Sequence, residues 1–280
     1  MTEHHVHGAR SCAPVPGSTA ALAAERTLDS GRLKVLVISR PTDNVRWTGG
    51  HPVAGSVPLL CKTLLEANFD IELVNNFDRV RRDPSDMPGE GLAWFDAVVF
   101  HGKLEWHDDQ ALSMLKRFVE GGKGLVVVHI ASASFAPAGA PSASQDWKNL
   151  AGSVFGYAPP GHPPNTPSPF SGHPPLAPIR VRLDRPDHPI LAGIPLNFEL
   201  DLDELYQRME PGADGPGERI ASGTTPDGQG GTADEPIAFV LERGAGRVFN
   251  LYPGHSIETH RDWRFQQILT QGIEWAARRR

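Results

Sequence analysis

Cysteine is scarce: Cys12 and Cys61 are the only two in 280 residues, one in a polar N-terminal stretch and one on a helical apolar stripe. That leaves no disulfide framework and no zinc site built on thiolate pairs, and it fits a reducing, cytoplasmic setting. Long apolar runs are missing as well. No stretch approaches the ~18 residues that a membrane-spanning helix needs, and residues 1–32 hold no continuous apolar core of a secretory signal. Positive charge is not in excess: 27 Lys and Arg against 33 Asp and Glu leave a net charge of −6. This balance speaks against nucleic acid or an anionic membrane as a partner. HExxH, paired CxxC and GxSxG do not occur, so neither a ready-made zinc helix nor a serine elbow is written in the chain.

What is there begins at Leu33. Residues 1–32 read as a flexible tail, and His4, His5 and His7 within it as solvated residues; residues 33–280 read as one domain. Short apolar runs rich in branched residues, "LKVLVIS", "DIELVN", "FDAVVFHG" and "GLVVVH", predict buried strands. Between them, "SVPLLCKTLLEANF" and "DDQALSMLKRFVEGG" repeat apolar residues at helical spacing, and Gly121 and Gly122 stop the second helix. That alternation predicts an α/β fold, doubly wound and flavodoxin-like, with a mostly parallel sheet and helices on both faces. The region from about 136 to 200 departs from it. "APPGHPPNTPSPFSGHPPLAPI" carries too much proline for a sheet interior and reads as a long surface excursion. "IRVRL", "AFVLE" and "GRVFNLY" are later strands, and "WRFQQILTQGIEWAARRR" is a closing amphipathic helix.

In such a sheet the loops leaving the carboxyl ends of the strands share one rim, where ligands bind. Histidines fall there: His101 ends "AVVFH", His129 ends "LVVVH", His255 follows "VFNLYPG", and His51 lies in the loop after the first strand. Imidazole transfers protons near neutral pH and ligates metals, so His101, His129 and His255 are candidates for either task. Carboxylates that could join them are Asp203, Glu204 and Glu258. No motif demands a cofactor; a divalent metal, Zn or Mn, is the one that His101, His129, His255 and Glu204 would hold. Trp47, Trp106 and Trp147 lie in or near expected rim loops and could stack on a sugar ring, and His107 and Tyr206 could bind a polar ligand. The repeated Gly-His-Pro-Pro, at 161–164 and 172–175, reads as loop stiffening.

Six segments in order, "EGGKGLVVVHIASASF", "WKNLAGSVFG", "HPPLAPIRVRLDRPDHPILAGIP", "DLDELYQ", "GAGRVFNLYPGHS" and "QGIEWAARR", closely resemble the ThuA-like family, named for trehalose utilisation. The resemblance runs from about Leu33 to the C-terminus and implies the fold of the class I glutamine amidotransferase-like superfamily. Glutaminase activity is not implied: the elbow position holds His129 or Ile130 in place of a cysteine, and Glu258 stands three residues after His255, not two. Instead the resemblance implies carbohydrate catabolism, with cleavage of a disaccharide or glycoside already oxidised to a 3-keto sugar by a partner dehydrogenase. It marks His129, Asp203, Glu204, Tyr206, Gly254 and His255 as the pocket. His129 or His255 would serve as base, with Glu204 or a metal polarising the carbonyl; His51, His101, His107 and Trp47 would help to bind substrate. A non-catalytic sugar-binding module and a metal-dependent hydrolase of another small substrate are the competing readings. A small-molecule sugar is the expected partner, nucleic acid and membrane are not, and the chain could form a homo-oligomer.

Overall fold

The computed structural model describes residues 31–39, 52–82, 91–103, 108–138, 140–158, 170–225 and 234–278. The fold is that of the unit Leu33–Arg280. Its centre is a nine-stranded sheet in the order β2-β1-β3-β4-β11-β10-β9-β6-β7. The strands are β1 (Lys34–Ile38), β2 (Asp70–Val74), β3 (Ala97–His101), β4 (Gly124–Val128), β6 (Ala177–Leu183), β7 (Asn197–Asp203), β9 (Glu218–Thr224), β10 (Glu235–Arg243) and β11 (Gly246–Leu251). A separate small ladder joins β5 (Ser153–Val154) to β8 (Glu210–Pro211).

The sheet has two halves. From β2 to β11 all neighbours are parallel, as the apolar runs predict. From β11 to β7 all are antiparallel, so the sheet is mixed. Between 136 and 203 the chain holds the helix α4 (Gln145–Ala151), β5 of the small ladder, and the two outer strands of that second half: β6, which the run "IRVRL" predicts, and β7, which no run predicts. The proline-richest part, 159–169, lies outside the described residues.

Alternation along each parallel strand divides the core. Val35 and Val37 of β1, Ala97 and Val99 of β3, and Val126 and Val128 of β4 share one cluster with Leu60 and Leu64 of α1 (Val53–Glu66) and Phe265, Ile268 and Leu269 of α6 (Trp263–Ala276). Leu36, Ile38, Val98, Phe100, Leu125 and Val127 share the other with Leu112, Leu115 and Phe118 of α3 (Asp109–Glu120). Side chains two residues apart share a face, so each strand feeds both clusters and both sheet faces are buried. Asp108 caps α3, its carboxylate accepting from the Ala111 N–H at 2.9 Å. The remaining helices are the short α2 (Asp78–Arg81) and α5 (Ile257–Arg261). Among the described residues no helix is long and apolar enough to cross a membrane.

Candidate functional site

β3, β4 and β11 run in the same direction, so His101 at the end of β3, His129 just after β4 and His255 four residues beyond β11 are delivered to one carboxyl edge of the sheet. Immediately after β4 the chain turns sharply into a 3-10 turn, His129–Ala133, with His129 at φ 51°. A non-glycine residue at positive φ is strained, and such strain concentrates where a side chain must be aimed. The aim is visible. His129 Nδ1 lies 2.7 Å from the Tyr252 carbonyl oxygen, which can only accept, so Nδ1 carries the proton. Nε2 is then an acceptor and takes the Tyr206 hydroxyl at 3.0 Å, with the two rings stacked at 4.5 Å. Burial, reinforced by the negative charge of Glu204, pushes the Tyr206 phenol well above its usual range, so it stays a donor.

Glu204 is the hub. Its Oε2 lies 3.4 Å from His129 Nε2 and 3.1 Å from His255 Nδ1, and its Oε1 lies 3.4 Å from His173 Nδ1. His129, Glu204 and His255 are buried, and one ligand atom of each falls within 4.8 Å of the others. Two imidazole nitrogens and one carboxylate oxygen are the donor set of many catalytic zinc sites, which keep further positions open. The N–H of His129 tied to a main-chain carbonyl is the arrangement that orients metal-binding histidines.

Asp203 works one layer behind. It is fully buried, and its oxygens accept from the backbone N–H groups of Glu204 (2.8 Å), Gly254 (3.1 Å), His255 (3.1 Å) and Ser256 (3.4 Å). Burial pushes its carboxyl up, and the bonds from Thr259 and from these backbone groups pull the other way without cancelling it. Its task is therefore to pin the turn that presents His255, and its oxygens are spent on the main chain instead of on a substrate. Gly254 sits in that turn at φ 136°, and a Cβ there would lie 3.2 Å from Val128 Cγ1 and 3.4 Å from His129 Cβ. His260, on α5, fixes the same turn by donating Nε2–H to the Gly254 carbonyl at 3.1 Å.

His101 is close, but it stands outside the three-residue group. Its ring nitrogens are bonded to Ser39 Oγ (3.1 Å) and Ser56 Oγ (3.2 Å), and it faces the edge of His260. A cavity of about 10 Å³ lies between His101, Ser56, Gly102, His129, Gly254 and His255, about the room that one water molecule requires. Trp147 is not at the rim; it is fully buried and donates to the Ser132 carbonyl at 3.0 Å. Glu258 is exposed on α5. His51, His107, Trp47 and Trp106 lie outside the described residues.

His173 is the residue that sequence reasoning passed over. With 37% of its side chain exposed, it is the solvent-side histidine of the group. Its Nδ1 also faces the Pro174 carbonyl at 3.0 Å, so that nitrogen bears the proton. The only trace in the sequence is the second Gly-His-Pro-Pro, where the histidine is hidden among stiffening prolines.

Comparison with known proteins gives a consistent picture. The family model ThuA, described as trehalose utilisation, matches residues 34–276. A ThuA-like protein from Parabacteroides merdae is 20% identical, with a TM-score of 0.66 over 88% of this chain and 90% of its own. Another from Bacteroides uniformis is 19% identical, with a TM-score of 0.60 over 88% and 91%. A cytoplasmic protein from Salmonella typhimurium is 12% identical, with a TM-score of 0.55 over 87% and 99%. At these identities the likeness is one of fold. Comparison with curated proteins returns no match.

Proposed function

Since the chain belongs to the ThuA family, described as trehalose utilisation, we propose that it is an enzyme of carbohydrate breakdown that cleaves a glycoside or disaccharide oxidised at C3. The carrying observation is the convergence of His129 Nε2, Glu204 Oε2 and His255 Nδ1 within 4.8 Å at the carboxyl edge of the sheet. One carboxylate oxygen set between two imidazole nitrogens is a donor set that a divalent cation, Zn or Mn, suits. When bound, such a cation would act as a Lewis acid on a ketone oxygen.

The 3-keto group acidifies the C–H at C2. A base removes that proton, the electron pair forms the C1=C2 bond, and the C1–O bond breaks. The glycosidic oxygen leaves and takes up a proton. Water then adds at C1 and a proton returns to C2, so glycoside plus water gives a 3-keto sugar plus the free alcohol. His129 is committed to the Tyr252 carbonyl and to the central group, so the base role falls to Nε2 of His173, the ring nitrogen left without the proton on a side chain that is reached from solvent. Tyr206 keeps His129 in its acceptor tautomer, and Asp203 keeps His255 facing Glu204. A cysteine-dependent glutaminase has no place in this reading, because the turn after β4 opens on His129 and Ile130. The chemistry requires a sugar dehydrogenase to supply the ketone. We read the parallel half as a flavodoxin-like, doubly wound core, since its order β2-β1-β3-β4-β11 is 2-1-3-4-5 when counted within the parallel set.

The test is turnover of 3-keto-trehalose with metal analysis of the purified protein. His173→Ala is expected to lower kcat by about 10²–10⁴ with metal retained, while His129→Ala and His255→Ala lose the metal and the activity together. Undiminished turnover by the metal-free His129→Ala/His255→Ala double variant would remove the proposal.

A further inference from the structure

A line of aromatic rings leads out of the site. Tyr206, stacked on His129, packs on Phe155 at 4.6 Å, and Phe155 meets Tyr157 edge-on at 5.2 Å and 66°. His173 stands beside the same line, 6.2 Å from Phe155 and 6.1 Å from Tyr206. Tyr157 ends it at the surface, 38% exposed. The backbone that carries Tyr157 is held from several sides. Its N–H donates to the Pro141 carbonyl at 2.7 Å. The Gly156 N–H donates to Ser171 Oγ at 3.1 Å, and that hydroxyl in turn donates to the Arg208 carbonyl at 2.9 Å. Gly156 is pressed against the Glu210 carboxylate, which Lys148 holds at 2.6 Å. From the loop after β3, Lys103 places its ammonium 4.5 Å from the Tyr157 ring centroid.

We propose that Tyr157 and Lys103 form a sugar-ring subsite: the tyrosine face carries the apolar C–H face of a pyranose, and the lysine hydrogen-bonds its hydroxyls. The proposal rests on the carbohydrate reading above and extends it to the part of the substrate away from the reacting bond. A solvated aromatic ring on a clamped backbone loses little conformational freedom on binding, which favours it as a platform. Lys103 supplies the polar contact that an aromatic face lacks and has three donors to share among ring hydroxyls. Phe155 meets both Tyr157 and His173, so the platform and the exposed histidine of the site flank the same ring. Tyr157 is not among the groups given a part in the chemistry, so its effect belongs on binding.

The experiment measures trehalose binding by calorimetry and 3-keto-trehalose turnover for the wild type and for Tyr157→Ala, Tyr157→Leu, Tyr157→Trp and Lys103→Met. Tyr157→Ala and Tyr157→Leu should each raise Kd and KM about tenfold and leave kcat within about twofold. Tyr157→Trp should preserve affinity, and Lys103→Met should weaken it by about threefold to tenfold. Wild-type binding that Tyr157→Ala and Tyr157→Leu leave intact overturns the subsite while the enzymatic reading stands. A fall in kcat as large as the rise in KM also overturns it, since a platform acts before the chemistry. Tyr157-dependent trehalose binding without any turnover supports the subsite and defeats the enzymatic reading. A wild type that neither binds trehalose nor turns over its 3-keto form defeats both.

Discussion

A buried histidine near the site reports on how neutral imidazoles are maintained there. His260 is 1% exposed, its ring lying against the edges of His101 at 5.2 Å and Phe265 at 4.9 Å. Burial lowers its pKa from the ordinary 6.5 to about 4, the hydrogen bond to the Gly254 carbonyl opposing that shift only in part. Between those two values the unfolded chain binds a proton that the folded chain refuses. Stability is therefore full above pH 6.5 and falls as the pH drops towards 4, by about 3 kcal/mol in total from this residue. His260→Gln, whose amide can still donate to Gly254, should flatten that part of the profile. Urea denaturation of both proteins at pH 7 and pH 4.5 checks it: the wild type should lose about 2–3 kcal/mol more than the variant. Equal losses would mean that His260 gains a proton without unfolding pressure. The same scale explains the φ of 51° at His129. A strained turn is tolerated because a main-chain carbonyl, a tyrosine hydroxyl and a stacked ring together hold one tautomer in one direction.

Elements meet the sheet through close contacts that side-chain chemistry alone would not predict. α6 crosses β4 and β11 with Gly272 facing the Phe249 ring, and a Cβ built at Gly272 would lie 2.2 Å from Phe249 Cδ1. Helix propensity favours alanine over glycine by ~1 kcal/mol, so the isolated helix would gain from Gly272→Ala. The clash wins, because a buried ring against a sheet cannot move aside without disturbing its neighbours. Gly272→Ala should destabilise the protein by about 2 kcal/mol in denaturant titrations, and a stabilised variant would overturn that packing argument. Much at this scale was legible in advance. β1, β3 and β4 are near-continuous apolar runs because both faces are buried, β11 is legible from Val248, Phe249 and Leu251, and α3 carries its stripe and its Asp108 cap in plain view. β7, "NFELDLD", was not legible: it is the sheet's edge strand and exposes Asn197, Glu199 and Asp201. β9, "ERIASGT", lacks the run of branched residues that would mark it as a strand. For the site, His129 and His255 announce themselves by following apolar strands, whereas Glu204 stands out only as one of three carboxylates, with Asp203 and Glu258, that could join them, and the family resemblance narrows the choice. Neither His173 nor His260 could be found by period or motif, since an imidazole among prolines and one inside a short helix have many bland explanations.

At the scale of the molecule, the site joins the two halves of the sheet. His129 follows β4 and His255 follows β11, neighbours in the parallel half, while Glu204 follows β7 at the far antiparallel edge. Three strands separate β11 from β7 in the order of the sheet, yet Glu204 Oε2 lies 3.1 Å from His255 Nδ1, and Asp203 accepts from the backbone of the turn after β11. A cation held by His129, Glu204 and His255 would therefore add a clasp between halves already joined by the β10–β11 ladder and by the bonds of Asp203 to the turn after β11. Anything that binds only the folded state stabilises it, by about 2.7 kcal/mol at a ligand concentration of one hundred times Kd. For a domain of this size that is a rise in Tm of about 5–10 °C. Addition of Zn or Mn to chelator-treated protein should produce that rise, and amide hydrogen exchange should slow in β6 and β7 as well as in the parallel strands. Glu204→Gln keeps the shape of the side chain and removes its charge, so it should abolish the rise and leave the metal-free Tm nearly unchanged. A wild type whose Tm and exchange rates are indifferent to both metals would mean that the three groups share a proton and not a metal ion, and that the halves are held by hydrogen bonds such as those of Asp203.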